Sequence, residues 1–171
     1  LITGASGFIG ANLTRYLVNN GIKINIIIRK KNNWRIDDII SKVNPYYLDL
    51  NNSKNICKAI SKIKPKTIFH LATYGSYSNQ NNLNKIYNTN LISTINLLHE
   101  CQKYNYDKFI NTGSSSEYGN KTKAMSERDI LQPDSYYAVF KSAANHFCTF
   151  EAINKNLPIV NVRPFHVYGP Y

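Results

Sequence analysis

A chain of 171 residues, 43% of them hydrophobic, is the size of one domain and buries a core without disulfide or metal staples. Its formal charge of +11 would suit a polyanion, yet no run of five or more basic residues and no recognised nucleic-acid motif accompanies it, so nucleic acid is set aside as a partner. Cys57, Cys101 and Cys148 lie too far apart for a metal or redox motif and read as buried free thiols, and no apolar stretch of 18 residues or lipidation motif points to a membrane; a cytoplasmic protein is expected.

Leu1 to Thr3 reads as a short strand, after which Ile9, Leu13, Leu17 and Val18 trace one face of a helix ending near Gly21. Lys23 to Arg29 reads as a strand buried on both sides and Tyr46 to Leu50 as another, followed by a helix with Ile56, Ala59, Ile60 and Ile63 on one face. Thr67 to Ala72 is a strand, the segment from about Asn82 to Tyr104 a long helix, and Lys108 to Thr112 a strand ahead of a polar loop. A helix from about Ser135 to Asn154 and a strand from Ile159 to Pro164 complete the series. Apolar strands alternating with helices specify an α/β fold, a doubly wound parallel sheet of Rossmann type with helices on both faces. The three-residue opening strand and the closing PFHVYGPY read as cut ends, so residues 1–171 are expected to be one domain of a longer protein, truncated at both ends.

Between the first strand and helix stand Gly4, Gly7 and Gly10 of LITGASGFIG. A turn of this kind aims free backbone N–H groups and the positive end of a helix at its contents, which suits a pyrophosphate. An Asp or Glu ending the second strand would read an NAD ribose, but this strand ends Ile28-Arg29-Lys30. Either these cations meet a 2′-phosphate, which selects NADP, or they are simply solvated strand-end residues. Asp49, next to Leu50 at the end of the third strand, either bonds an adenine amino group or caps its own loop.

Tyr137 and Lys141 stand four apart on a helix, hence on one face. A lysine ammonium beside a tyrosine stabilises the phenolate and turns the phenol into a usable proton donor and acceptor. Tyr104 and Lys108 repeat the spacing, but in a connector with no strand-end serine before them. Tyr137 instead follows the strand ending Thr112-Gly113-Ser114-Ser115-Ser116, at the carboxyl edge where such sheets bind ligands, and Ser114 or Ser115 can donate to the same oxygen.

TGASGFIG, FHLAT at 69–73, NTGSSSEYG at 111–119, YAVFK at 137–141 and RPFHVYGP at 163–170 follow one another along the whole chain. In these motifs and their order the chain resembles the extended short-chain dehydrogenase/reductases, the sugar-nucleotide epimerase, dehydratase and reductase group. The resemblance implies a Rossmann domain followed by a smaller domain that grips the nucleotide sugar. It implies that Gly4, Gly7 and Gly10 line the pyrophosphate with Phe8 and Ile9 beside them, and that Leu71, Ala72 and Thr73 flank the cofactor. It gives Ser114 the catalytic serine or threonine position, Tyr137 the acid/base and Lys141 the nicotinamide ribose, and sets Ser115, Phe165 and His166 near the substrate. His166 stands where the family commonly has Asn, so it is either a ligand or a packed loop histidine.

Two departures narrow what the resemblance implies. Family dehydratases carry an acidic residue one or two places after the catalytic serine position in the motif, where this chain has Ser115 and Ser116 with Glu117 one residue late, which speaks against a 4,6-dehydratase. Arg29 replaces the acid of many NAD-retaining epimerases. The expectation is therefore NADP-dependent reduction of a 4-keto sugar nucleotide, with NAD-dependent 4-epimerisation as the alternative; a non-catalytic NADP sensor fits less well because the Tyr–Lys pair is present. A homodimer through the helices at about 82–104 and 135–154 is the family's common assembly.

Overall fold

A computed structural model of the protein describes residues 1–31 and 33–170. Among them six strands, β1 (Ile2–Thr3), β2 (Asn25–Ile28), β3 (Asn44–Tyr47), β4 (Thr67–His70), β5 (Lys108–Thr112) and β6 (Ile159–Val162), form one parallel sheet in the order β3-β2-β1-β4-β5-β6. The order reverses between β1 and β4, so the loops leaving those two strands diverge and open a crevice at the carboxyl edge.

The helices are α1 (Phe8–Asn19), α2 (Ser53–Ile63), α3 (Leu83–Tyr87), α4 (Ser93–Gln102) and α5 (Tyr136–Lys155). Side-chain caps start three of them: Asn52 accepts from Asn55 N, Asn82 from Lys85 N and Ser135 from Ala138 N. One face of the sheet packs Ile27, Ile68 and Phe109 against Ile56 and Ile60 of α2, Leu97 and Leu98 of α4 and Cys148 of α5. On the other face Ile2, Ile26 and Ile28 meet Ala11 of α1 together with Ile36 and Ile39. Each fully buried side chain of this size contributes about 1.5–3 kcal/mol.

Three expectations shift. The third strand lies earlier, at Asn44–Tyr47, and leaves Asp49 and Leu50 beyond its end. Pro45 has no N–H to give a further strand and is tolerated because β3 is the sheet edge, while Leu50 turns inward to the core at the head of α2. The long helix expected from 82 to 104 is α3 and α4 joined by a π-helical turn, Asn88–Ile92, which swings Asn90 toward the sheet edge. Of the three thiols, Cys101 and Cys148 are buried, and burial pushes both up to about 12, whereas Cys57 is exposed on the polar side of α2.

Candidate active site

The glycine turn is built for close approach. Gly4 has φ +69°, and a Cβ there would lie 2.7 Å from Ala72 N, so a side chain would wedge apart the loops after β1 and β4. A Cβ on Gly10 would collide with the Gly4 carbonyl oxygen. Gly7 N donates back to Gly4 O at 2.9 Å and caps α1, whose first turn has neither a side-chain cap nor an acidic residue. The N–H groups at Phe8 and Ile9 are thus left for an anion, and the cradle fits a dinucleotide pyrophosphate. Asn12 Nδ2 donates to Pro170 O at 3.1 Å, so the segment after β6 runs back over this turn.

Next to the turn lies a buried network that the motifs did not reveal. Thr3 and His70, neighbours across the β1–β4 pairing, join Oγ1 to Nδ1 at 2.7 Å, and His70 Nε2 meets Thr94 Oγ1 at 2.9 Å. Thr94 spends its hydrogen on Asn90 O, which leaves Nε2–H as donor and Nδ1 as acceptor. Asn90 then clamps the loop after β4: its Oδ1 accepts from Thr73 Oγ1 and Tyr74 N, and its Nδ2 donates to Tyr74 O. Leu71 and Ala72, half-buried, are fixed from β1, with Leu71 N donating to Thr3 O and Ala72 N to Thr3 Oγ1. Desolvation by burial, with the Lys141 charge adding to it, pulls His70 down to about 3, so the ring is neutral.

The third part is the loop after β5. Ser114 caps a single 3₁₀ turn, Ser115–Tyr118, accepting from Ser116 N at 3.1 Å, while Ser115 N donates to Pro164 O. Lys141 is 5% exposed and gives its Nζ to Thr112 O at 2.7 Å, two residues before Ser114. Tyr137 lies one turn earlier on α5, half-buried, with the Lys141 Nζ 6.0 Å from its ring centroid. Burial pulls the Lys141 ammonium down to about 8, with Glu117 holding it up. The Thr112 hydroxyl, buried at the same strand end, has no hydrogen-bond partner among the described residues. Lys141 thus joins the strand end that precedes Ser114 to the turn of α5 that carries Tyr137.

Glu117 was read only as an acid one place late. Its carboxylate is fully buried, accepting from Ser114 N (2.7 Å), Asn145 Nδ2 (2.9 Å) and Arg163 Nε (3.1 Å), so it faces inward and its lone pairs are spent on the protein. Sequence carried a signal for Asn145: Tyr137, Lys141 and Asn145 repeat every four residues on one face of α5.

At the periphery, Arg29 and Lys30 are exposed directly after β2. Asp49 is exposed and its Oδ1 accepts from Asn51 N at 2.9 Å, the loop-capping arrangement. Phe165 is 55% exposed and stacks on Tyr118, and His166 is exposed in the same segment.

The model of a family described as NAD dependent epimerase/dehydratase matches residues 1–171. An uncharacterized UDP-glucose epimerase of Bacillus subtilis is 33% identical over 99% of this chain and 57% of its own length. A dTDP-glucose 4,6-dehydratase of Haemophilus influenzae is 27% identical over 100% of this chain and 56% of its own. Among solved structures, UDP-glucuronic acid 4-epimerase from Bacillus cereus in complex with NAD matches with a TM-score of 0.86 at 30% identity, over 99% of this chain and 56% of that one. A UDP-glucose 4-epimerase with UDP-glucose from Thermotoga maritima matches with a TM-score of 0.90 at 25% identity, over 99% and 56%. The chain spans about half the length of the curated relatives it matches.

Proposed function

The chain belongs to the NAD dependent epimerase/dehydratase family, and from that premise we propose that its site exchanges hydride with a carbinol carbon of a nucleotide-activated sugar, and that the whole protein is an NAD-dependent 4-epimerase. The observation that carries this is the buried Lys141, bonded to the end of β5 beside Ser114 and one helical turn from Tyr137. Both 4-epimerases matched above support the net reaction. A dinucleotide held with its pyrophosphate on Gly4, Gly7, Phe8, Ile9 and Gly10, flanked by Leu71, Ala72 and Thr73, would supply a hydride acceptor and donor.

The chain's own residues handle the proton. Tyr137 takes the proton of the sugar hydroxyl as its C–H bond is oxidised and returns it when hydride comes back to the other face. Lys141 supplies the positive field that stabilises the phenolate, and Ser114 turns its hydroxyl from Ser116 to the sugar oxygen and holds it. Ser115, Phe165 and His166 border the sugar.

A second reading, reduction of a 4-keto sugar nucleotide by NADPH, is favoured by one observation: Arg29 and Lys30 are exposed at the strand end that faces an adenosine ribose. In either case the substrate is a nucleotide sugar and the setting cytoplasmic; no helix among the described residues is long and apolar enough to cross a membrane. Tyr87 on α3 and Tyr136 and Val139 on α5 are exposed apolar positions that support a homodimer through these helices.

Full-length protein assayed with UDP-hexoses and UDP-hexuronic acids tests this. Tyr137→Phe is expected to lower turnover by about 10²–10⁴-fold with dinucleotide binding kept, and turnover surviving that change would overturn the assignment. Isomerisation on tightly held NAD supports the epimerase, whereas stoichiometric NADPH consumption, lost in Arg29→Asp, supports the reductase.

A further inference from the structure

We propose that Glu117 is the positioning residue of this site: one carboxylate sets the Ser114 loop against the Tyr137–Lys141 face of α5 and anchors both to the end of β6. The proposal rests on the catalytic reading of Ser114, Tyr137 and Lys141 given above.

The geometry is specific. Oε1 takes the Ser114 N–H at 2.7 Å, and Oε2 takes Asn145 Nδ2 at 2.9 Å and Arg163 Nε at 3.1 Å. Each of the three partners comes from a different part of the chain: the loop after β5, the catalytic face of α5 and the residue following β6. Arg163 continues outward to Tyr118 OH at 3.0 Å, and Tyr118 carries Phe165 stacked on its ring. A Cβ on Gly113 would occupy the carboxylate's position, so the loop leaves room for it. All three contacts are donors, and a neutral amide at 117 would have to turn its NH₂ toward one of them.

Charge adds to geometry. Lys141 is faced by Glu117 from the 3₁₀ turn, by neutral His70 from β4, and by Tyr137 and Cys148 from its own helix. The Glu117 charge thus acts against the burial that pulls the Lys141 ammonium down.

The test uses full-length protein with three variants, Glu117→Gln, Tyr137→Phe and the double variant Glu117→Gln/Asn145→Asp. The double variant returns a carboxylate to the cluster and lets the new amide at position 117 donate to it. The midpoint of the Lys141 ammonium is read by NMR of its Nζ, and kcat and KM are read separately. In Glu117→Gln the Lys141 midpoint is expected to fall by about one pH unit and kcat by about 10²-fold, with KM within about threefold. The double variant is expected to restore most of both, which a merely structural role would not produce. If Glu117→Gln does not fold, the double variant alone decides, by a Lys141 midpoint near the native one. An unchanged Lys141 midpoint with unchanged kcat in Glu117→Gln would overturn the proposal. Turnover surviving Tyr137→Phe beside a shifted Lys141 midpoint would overturn the catalytic reading and leave Glu117's hold on Lys141 standing.

Discussion

Under the loop after β4, hydrogen bonds pass from Ala72 through Thr3, His70 and Thr94 to Asn90 without a formal charge. Under the loop after β5, a carboxylate, a guanidinium and an ammonium sit within one cluster around Glu117, Arg163 and Lys141. Both networks fix a loop at the carboxyl edge, and each has a buried centre, His70 in one and Glu117 in the other. The neutral one meets the cost of desolvation by matching each donor to an acceptor, so its rigidity is independent of charge. The charged one keeps ions out of water, which is expensive unless each is paired. An uncharged hold beside the glycine turn leaves the field there to the helix end, whereas the second network brings a positive charge close to the Tyr137 ring.

Breaking the charged network should therefore cost the most. Arg163→Met strips the fully buried Glu117 of its counter-cation, and a fall of about 3–5 kcal/mol in unfolding free energy is expected in urea titration. An effect under about 1 kcal/mol would show that Asn145 and Ser114 alone hold the carboxylate.

The neutral network fails differently, through pH. His70 is held near 3 in the folded chain against about 6.5 when unfolded. The unfolded state therefore binds the extra proton between those values, and the histidine's contribution, intact above about 6.5, is lost as pH falls toward 3. Native protein should lose about 1.4 kcal/mol per pH unit on this account between pH 6 and 4. His70→Gln keeps a donor and an acceptor, and its stability profile should be flatter there by that slope; parallel profiles would mean that His70 is charged.

Much of the site was legible in the sequence because it rests on local rules. Glycine spacing, a strand-end serine and a Tyr–Lys pair one turn apart each encode their geometry within a few residues, and the alternation of strands and helices orders the sheet. What escaped depended on contacts far along the chain. His70 sits inside a strand motif, and its partners Thr3 and Thr94 are 67 and 24 residues away. Glu117 meets Arg163 across 46 residues, so its inward orientation is decided by β6 and α5 rather than by its neighbours. The π turn at Asn88–Ile92 keeps helical periodicity and hides in a hydrophobic count, although it carries Asn90, which bonds the loop after β4. The third strand takes in Pro45 because it is the sheet edge and stops at Tyr47, short of Asp49, which propensity at 46–50 does not contain.

The smallest effects should separate the sealed network from the leaky one. Thr94→Val keeps the shape but removes both the acceptor of His70 Nε2–H and the donor to Asn90 O. Thr94 is 2% exposed and His70 is equally enclosed, so water has no access to the orphaned groups, and a loss of about 1–3 kcal/mol is expected. Tyr118→Phe also removes one hydrogen bond, that from Arg163 Nη1, and this one is charge-assisted. On bond strength alone it should cost more. Yet the Arg163 side chain keeps 17% of its surface exposed, so the freed N–H can turn to solvent, and the cost should stay below about 1 kcal/mol. Urea midpoints for the two variants, taken at one pH with equal slopes, test the order. Tyr118→Phe costing more than Thr94→Val would mean that the pairing of charges, rather than the exclusion of water, sets the rigidity of this edge.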